Sequence, residues 1–530
     1  MSIMDRRERL SPVDTAWLRM DSKANLMMIV GVYEFGGDVD YQRLQHRIER
    51  TLLTHPRFRS RVVEDTAGYA WEIDPDFDLD WHVARTALPG HASTKELKQF
   101  AARLAGTPLD ANRPLWQFHL VDNYAGGNAL VVRIHHCIAD GISLIGVLME
   151  LTSDSPELDK RDEAPSALRR KSSAGASGDW LRPLTDAAVL ALDTTGDVAA
   201  RTLQASAALL DGPDSVSDSA MDAARVATQA TRDLASVLLM SDDSVTSLKG
   251  MPSGTKRVAW NEPLPLDDVK AVCRALGCSV NDVLLACAAG ALRGYLRERG
   301  EEVDGVELRA MVPVNLRDPR HWKDLGNKFG LVPLLLPVGV ENPIARVYEV
   351  QRRMNALKGS YTAVVTMGLL GLFGFTPRWA QKPVLEYLAS KATAVMTNVP
   401  GPHQSLYLAG GLIRRMMFWV PQSGEIGVGV SILSYAGGVQ FSMITDRALC
   451  DEPQRIIDRF TPEFEKLALA LCMLPWEGVP DANGAESWLF THVDAPAPMP
   501  AGRKAASPRS AARRKARKRA AVPAATPATP

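Results

Sequence analysis

The chain predicts an α/β fold of the α+β type, organised in two principal domains. Three observations carry this expectation. At 530 residues the chain is too long for one ordinary hydrophobic core. Apolar runs of strand period and of helix period occur in both halves, with no strong internal repeat. A polar stretch at 152–179, rich in Ser, Asp and Lys/Arg and ending in SSAGASGD, separates the halves.

In the first half, strand-like runs lie at 27–35, 115–121 and 129–134, and helical spacing at 41–53 and 94–104. After the linker, 180–210 and 217–240 read as Ala-rich amphipathic helices, followed by a break at 242–252. In the second half, 265–276 and 280–297 read as consecutive helices. Ser279 is a good N-cap and Asp282 stands three residues on, an Asp variant of the capping box. Strands are expected at 305–313, 331–338, 394–398, 427–435 and 438–445, and a closing helix at 452–474. The boundaries that follow are 1–151, 152–254 (linker and Ala-rich helices), 255–478, and a flexible tail at 479–530.

The most informative string is HHCIADG at 135–141. The β-branched run before it reads as a buried strand, and Ile142, Ile145, Leu148 and Met149 after it have helical spacing. The histidines therefore stand at a strand end, where a side chain can leave the sheet for a ligand channel. Successive strand residues face opposite ways, so only one of His135 and His136 can face a reacting atom. A neutral imidazole can take a proton from a hydroxyl near neutral pH. Asp140 reads either as a carboxylate orienting a histidine or as part of an Asp-Gly turn.

HHxxxDG resembles the signature of the CoA-dependent acyltransferase superfamily. The rest of the chain is similar to the bacterial wax ester synthase/diacylglycerol acyltransferases within it. The matching segments are LSPVDTAWL at 10–18, HPRFRSR at 55–61, Pro114-Leu115-Trp116, SVNDVLLA at 279–286, MVPVNLR at 311–317, LGNKFG at 325–330 and TNVPGP at 397–402. They occur in the family's order. The resemblance implies two chloramphenicol-acetyltransferase-like lobes with mixed, mainly antiparallel sheets. It places the active site in a tunnel at their interface.

The resemblance also assigns roles. His136 is the expected general base, taking the proton of an acceptor hydroxyl that attacks the thioester of acyl-CoA. His135 is expected to be structural. Asp140 is expected to point away from the tunnel and pair with an arginine of the other lobe, for which Arg317 is the candidate. Gly141 is expected to permit a turn with positive φ. Asn281 is the candidate for holding an oxyanion or the acceptor, at a helix N-terminus. Trp116 reads as core, Cys137 as a variable motif position, and Gly326-Asn327 and Asn398 as turn or strand-end residues. The reaction implied is O-acyl transfer from long-chain acyl-CoA to diacylglycerol or a long-chain alcohol. Two rival readings are an acyltransferase with a carrier-protein-bound donor and an inactive lipid-droplet scaffold. The PLW and Asn-Asp motifs argue against the first, and the intact HHxxxDG against the second.

No phosphate-binding loop, dinucleotide fingerprint or metal cluster occurs, so no cofactor is expected beyond acyl-CoA as co-substrate. Six cysteines without a framework spacing suggest a reducing compartment. The N-terminal segment does not read as a secretory signal, and no apolar run reaches a membrane span, which predicts a cytoplasmic protein. LVPLLLPVGV at 331–340 and MGLLGLFGF at 367–375 are too short. Formal net charge is zero, yet residues 501–530 carry nine Lys/Arg and no acid. That tail fits an electrostatic contact with an anionic membrane or lipid-droplet surface. Its charge alone would also suit nucleic acid or a solubilising tail; no nucleic-acid partner is expected.

Overall fold

The β-branched residues Val131, Val132 and Ile134 set the central strand of the first sheet, Gly127–His135, in which every residue is buried. A computed structural model of the chain describes residues 7–155, 218–317, 325–358, 360–376 and 378–473. The helix expected at 180–210 and the basic tail lie outside these residues.

The first sheet has six strands, in the order Tyr407–Leu408, Gly411–Trp419, Met28–Phe35, Gly127–His135, Trp116–Tyr124, Val83–Ala87. Its pairings are antiparallel except the last, which is parallel. The second sheet has seven strands. Phe329–Leu336, Leu308–Asn315, Ala394–Pro400, Val428–Tyr435, Gly438–Asp446 and Lys256–Trp260 run in that order, and Leu264–Pro265 joins at Gly438–Asp446. The Ala394–Pro400 strand runs parallel to both its neighbours. A small third sheet joins Glu8–Arg9, Gly68–Ile73 and Ser60–Asp65. The mixed α/β character and mainly antiparallel pairing agree with the expected fold class.

The strand Gly411–Trp419 belongs to the second half of the chain but pairs with Met28–Phe35, setting Trp419 opposite Val30 and Met417 opposite Val32. Sequence patterning does not find this strand. The Arg414-Arg415 and Met416-Met417 pairs break its alternation, and its register shifts at a bulge between Ile413 and Arg415. The helices Pro343–Lys358, Thr362–Phe375 and Arg378–Ser390 were likewise outside the expected set.

The helices Tyr41–Arg50, Thr94–Ala105, Leu266–Leu276, Val280–Glu298 and Gln454–Met473 stand where periodicity puts them. The Ser279–Asp282 capping box forms: Ser279 Oγ accepts the Asp282 N–H, and Asp282 accepts the Ser279 N–H at 2.9 Å. Trp116 is fully buried, donates its indole N–H to the Phe58 carbonyl at 2.8 Å, and stacks on His82. No single helix among the described residues is long and apolar enough to cross a membrane.

Candidate active site

His135 ends its strand, paired with Met28, and His136 begins the exit from it, its N–H donated to the Met27 carbonyl at 2.7 Å. The two side chains diverge, as the pleat requires. His135 Nδ1 accepts the Cys137 N–H at 3.1 Å, and its Nε2 lies 3.4 Å from the Asp21 carboxylate. His136 turns into an internal cavity of about 980 Å³. Cys137 is fully buried and does not line that cavity.

The cavity lies where the two large sheets face each other. Ile29 and Ile134 line it from the first sheet, and Met311, Leu331, Val395 and Ile432 from the second. Its wall is mostly aliphatic, with a few convergent polar groups, the usual make-up of a site for an apolar ligand.

The His136 ring stacks on Trp17, with centroids 4.4 Å apart and planes 21° from parallel, and meets Phe329 at 5.5 Å. Burial pushes its pKa down to about 4, against the pull of the Asp140 carboxylate nearby. The ring is therefore neutral near neutral pH and can accept a proton. Its Nδ1 has no hydrogen-bond partner among the described residues. The backbone beneath is fixed by Asn327, whose Nδ2 donates to the His136 carbonyl and to Asp14 Oδ1, both at 2.8 Å. Arg57 closes this network, donating to Asp14 Oδ2 at 3.1 Å and to the Ile138 carbonyl at 2.9 Å. Segments 10–18, 55–61 and 325–330 thus converge behind the histidines. Sequence reasoning singled out those segments but not Trp17, Phe329 or Asn327 as site residues.

Asp140 caps the helix Gly141–Glu150, accepting the Ser143 N–H and hydroxyl on Oδ1, each at 2.9 Å. Its Oδ2 accepts from Arg317 Nη2 at 2.7 Å and from the Lys328 N–H at 3.0 Å. Arg317 has no exposed side-chain surface and also donates to the Gly326 carbonyl at 2.6 Å. The carboxylate is thus committed to the backbone and to arginine rather than to a histidine.

Gly141 corrects an expectation. It is not in the left-handed region. Because Asp140 caps the helix directly, Gly141 is its first residue and takes ordinary helical backbone. A Cβ there would meet nothing within 4 Å, and the residue lines the cavity. Neither a left-handed turn nor a close approach therefore requires glycine here.

Asn281 also lines the cavity, at the start of the helix Val280–Glu298. Its Oδ1 accepts from Asn398 Nδ2 at 2.8 Å, which leaves the Asn281 amide nitrogen as a donor near a helix N-terminus. Asn398 lies in the strand Ala394–Pro400 and faces the same space, beyond its expected role as a strand-end residue. No group of three or more His, Cys, Asp or Glu among the described residues could hold a metal ion.

The sequence matches the wax ester synthase/diacylglycerol acyltransferase catalytic domain over residues 10–284 and the C-terminal domain of the same family over 325–468. The chain belongs to this family. It is 28% identical over 387 residues to the probable diacylglycerol O-acyltransferase tgs1 of Mycobacterium tuberculosis, covering 72% of this chain and 77% of that protein. It is 28% identical over 486 residues to tgs2 of the same organism, covering 87% and 99%. The fold matches the wax ester synthase/diacylglycerol acyltransferase of Marinobacter aquaeolei VT8 with a TM-score of 0.59 at 20% identity, covering 88% of this chain and 100% of that one. The first condensation domain of the calcium-dependent antibiotic synthetase matches with a TM-score of 0.53 at 17% identity, covering 90% and 98%.

Proposed function

We propose that this acyltransferase-family member moves a long-chain acyl group from acyl-CoA to diacylglycerol or a long-chain alcohol. The observation that carries the proposal is the neutral, buried His136 imidazole on the wall of a largely aliphatic cavity. The acceptor hydroxyl gives its proton to His136 as its oxygen attacks the thioester carbonyl. The C–S bond then breaks, and the departing CoA thiolate takes the proton back from the imidazolium. Positioned proton transfer of this kind contributes about 10²–10⁴-fold. The Asn281 amide nitrogen stabilises the oxyanion between attack and departure. Asp140 and Arg317 hold the strand-to-helix corner and take no proton.

The thioester is already activated, so the reaction needs no cofactor beyond the co-substrate. The cationic segment 501–530 provides an electrostatic contact with anionic lipid, at about 1 kcal/mol per basic residue near a surface.

The test is CoA release from palmitoyl-CoA by the full chain, with diolein and hexadecanol offered separately, for wild type beside His136→Ala. Acceptor-dependent release that disappears in the variant is expected. No release with either acceptor from folded wild-type protein would overturn the proposal in favour of a carrier-bound donor or a scaffold.

A further inference from the structure

The helix Thr362–Phe375 reads TAVVTMGLLGLFGF and contains no charged residue. Its inner side is buried through Ala363, Thr366, Leu370 and Phe373, against the helix Pro12–Arg19 and the strand Phe329–Leu336. Its outer side is not polar, as a surface helix requires. Val364, Gly368, Leu372 and Phe375 form one exposed stripe at helical spacing, with Leu372 61% and Phe375 78% exposed. Trp379, just beyond the helix, is 80% exposed.

A helix that is apolar all round belongs in a core or in lipid. The helix Asp218–Leu238 also packs against this one, yet the outer stripe stays exposed among the described residues, and at 14 residues the helix is too short to span a bilayer. Two observations indicate what covers it. Val364 stands in the exposed stripe and also lines the cavity, so the exposed apolar surface and the cavity wall share a residue. The sequence around the helix is cationic: no Asp or Glu occurs between Glu349 and Glu386, whereas Lys358, Arg378 and Lys382 flank the apolar run. An exposed apolar stripe with a tryptophan, in a stretch of sequence that carries cations and no acid, matches the surface of an anionic bilayer, with acyl chains below and phosphates above.

We infer that the outer stripe of Thr362–Phe375, with Trp379, seats the protein on a phospholipid bilayer, with the cavity mouth at Val364 turned to the lipid. This rests on the acyltransferase reading for its purpose, since diacylglycerol and long-chain alcohols dissolve in bilayers and not in water. The acceptor then passes from lipid to cavity without crossing bulk water. The surface is distinct from the basic segment 501–530, which would act by charge alone.

The experiment is flotation of the full chain with phosphatidylcholine/phosphatidylglycerol vesicles, without turnover, so its outcome is independent of whether the acyl-transfer proposal holds. Wild type is compared with Leu372→Ser/Phe375→Ser/Trp379→Ser, whose exposed positions leave the melting temperature unchanged. The expected result is a loss of vesicle affinity of at least about tenfold in the triple variant, on the scale of removing buried apolar side chains. Bromine-labelled acyl chains are expected to quench wild-type fluorescence, and the Trp379→Phe variant to keep binding while losing most of that quenching. Equal binding by the triple variant, or no quenching of wild type, would overturn the inference. A wild-type dimer without lipid that becomes monomeric in the triple variant would overturn it too, by assigning the stripe to a second copy of the chain.

Discussion

Trp17 lies face to face with His136, ring centroids 4.4 Å apart, so a residue of the first helix forms one wall of the imidazole's pocket. The contact fixes the ring and removes water from one of its faces, and burial is the main cause of the ring's depressed basicity.

A pH prediction follows from the sign of that shift. If His136 is the base, its imidazole, pushed down to about 4, is already neutral in the ordinary range, so kcat/KM is expected to stay flat there and to fall only as pH drops towards about 4. Trp17→Ala lets water reach the ring, and the acid limb moves up towards the ordinary value of about 6.5. An unshifted limb in a folded Trp17→Ala protein would show that the stack does not set the basicity.

The two histidines are expected to separate by function. His136→Ala is expected to lower turnover by about 10²–10⁴-fold with little change in melting temperature. His135→Ala removes a buried ring near Asp21 and loses less activity per folded molecule. Turnover per folded molecule of each variant gives the order, and the reverse order would reassign the base.

Asp140 and Arg317 are expected to act on stability before chemistry. Removing one partner leaves the other buried and uncompensated, so Asp140→Ala or Arg317→Met is expected to cost about 3–5 kcal/mol. Urea midpoints measure this. A folded Asp140→Ala protein with wild-type stability and no activity would instead give the carboxylate a chemical role.

Gly374 is where the helix Thr362–Phe375 meets the helix carrying Trp17. A Cβ there would sit 1.9 Å from the Pro12 carbonyl oxygen. Gly374→Ala is expected to force the two helices apart at a cost of about 1–3 kcal/mol. Turnover is expected to fall with it as Trp17 shifts. Calorimetry and a turnover assay on one preparation test both parts.

Removing residues 501–530 is expected to weaken binding to anionic vesicles, most visibly at low salt, and to leave turnover in detergent intact. Equal binding at all salt concentrations would dispose of the electrostatic contact.

The two sides of the site differed in how legible they were from sequence. The strand-turn-helix around His135 and His136 was readable because its cues are local: β-branched residues, then Asp-Gly, then helical spacing. The capping box at Ser279 and Asp282 is local in the same way. Trp17 and Asn327 are long-range partners whose own neighbourhoods say nothing about what they will touch. Gly141 was misread because Asp-Gly serves a turn and a helix start equally well, and only the Asp140 hydrogen bonds to Ser143 distinguish them. Strand Gly411–Trp419 was missed because a bulge and paired arginines hide its period.

That last strand bears on how the protein is made. Until Gly411–Trp419 emerges from the ribosome, one edge of Met28–Phe35 has no partner, although its other edge can pair with Gly127–His135 at once. Roughly 300 residues separate the two events, on the order of 15–60 s at ordinary translation rates. Through that interval the nascent chain carries an unprotected, largely apolar β-edge, a template for intermolecular pairing. Premature termination anywhere before residue 411 would make this exposure permanent. Such fragments are expected to aggregate, so the enzyme cannot be rebuilt from two separately expressed halves cut at its linker.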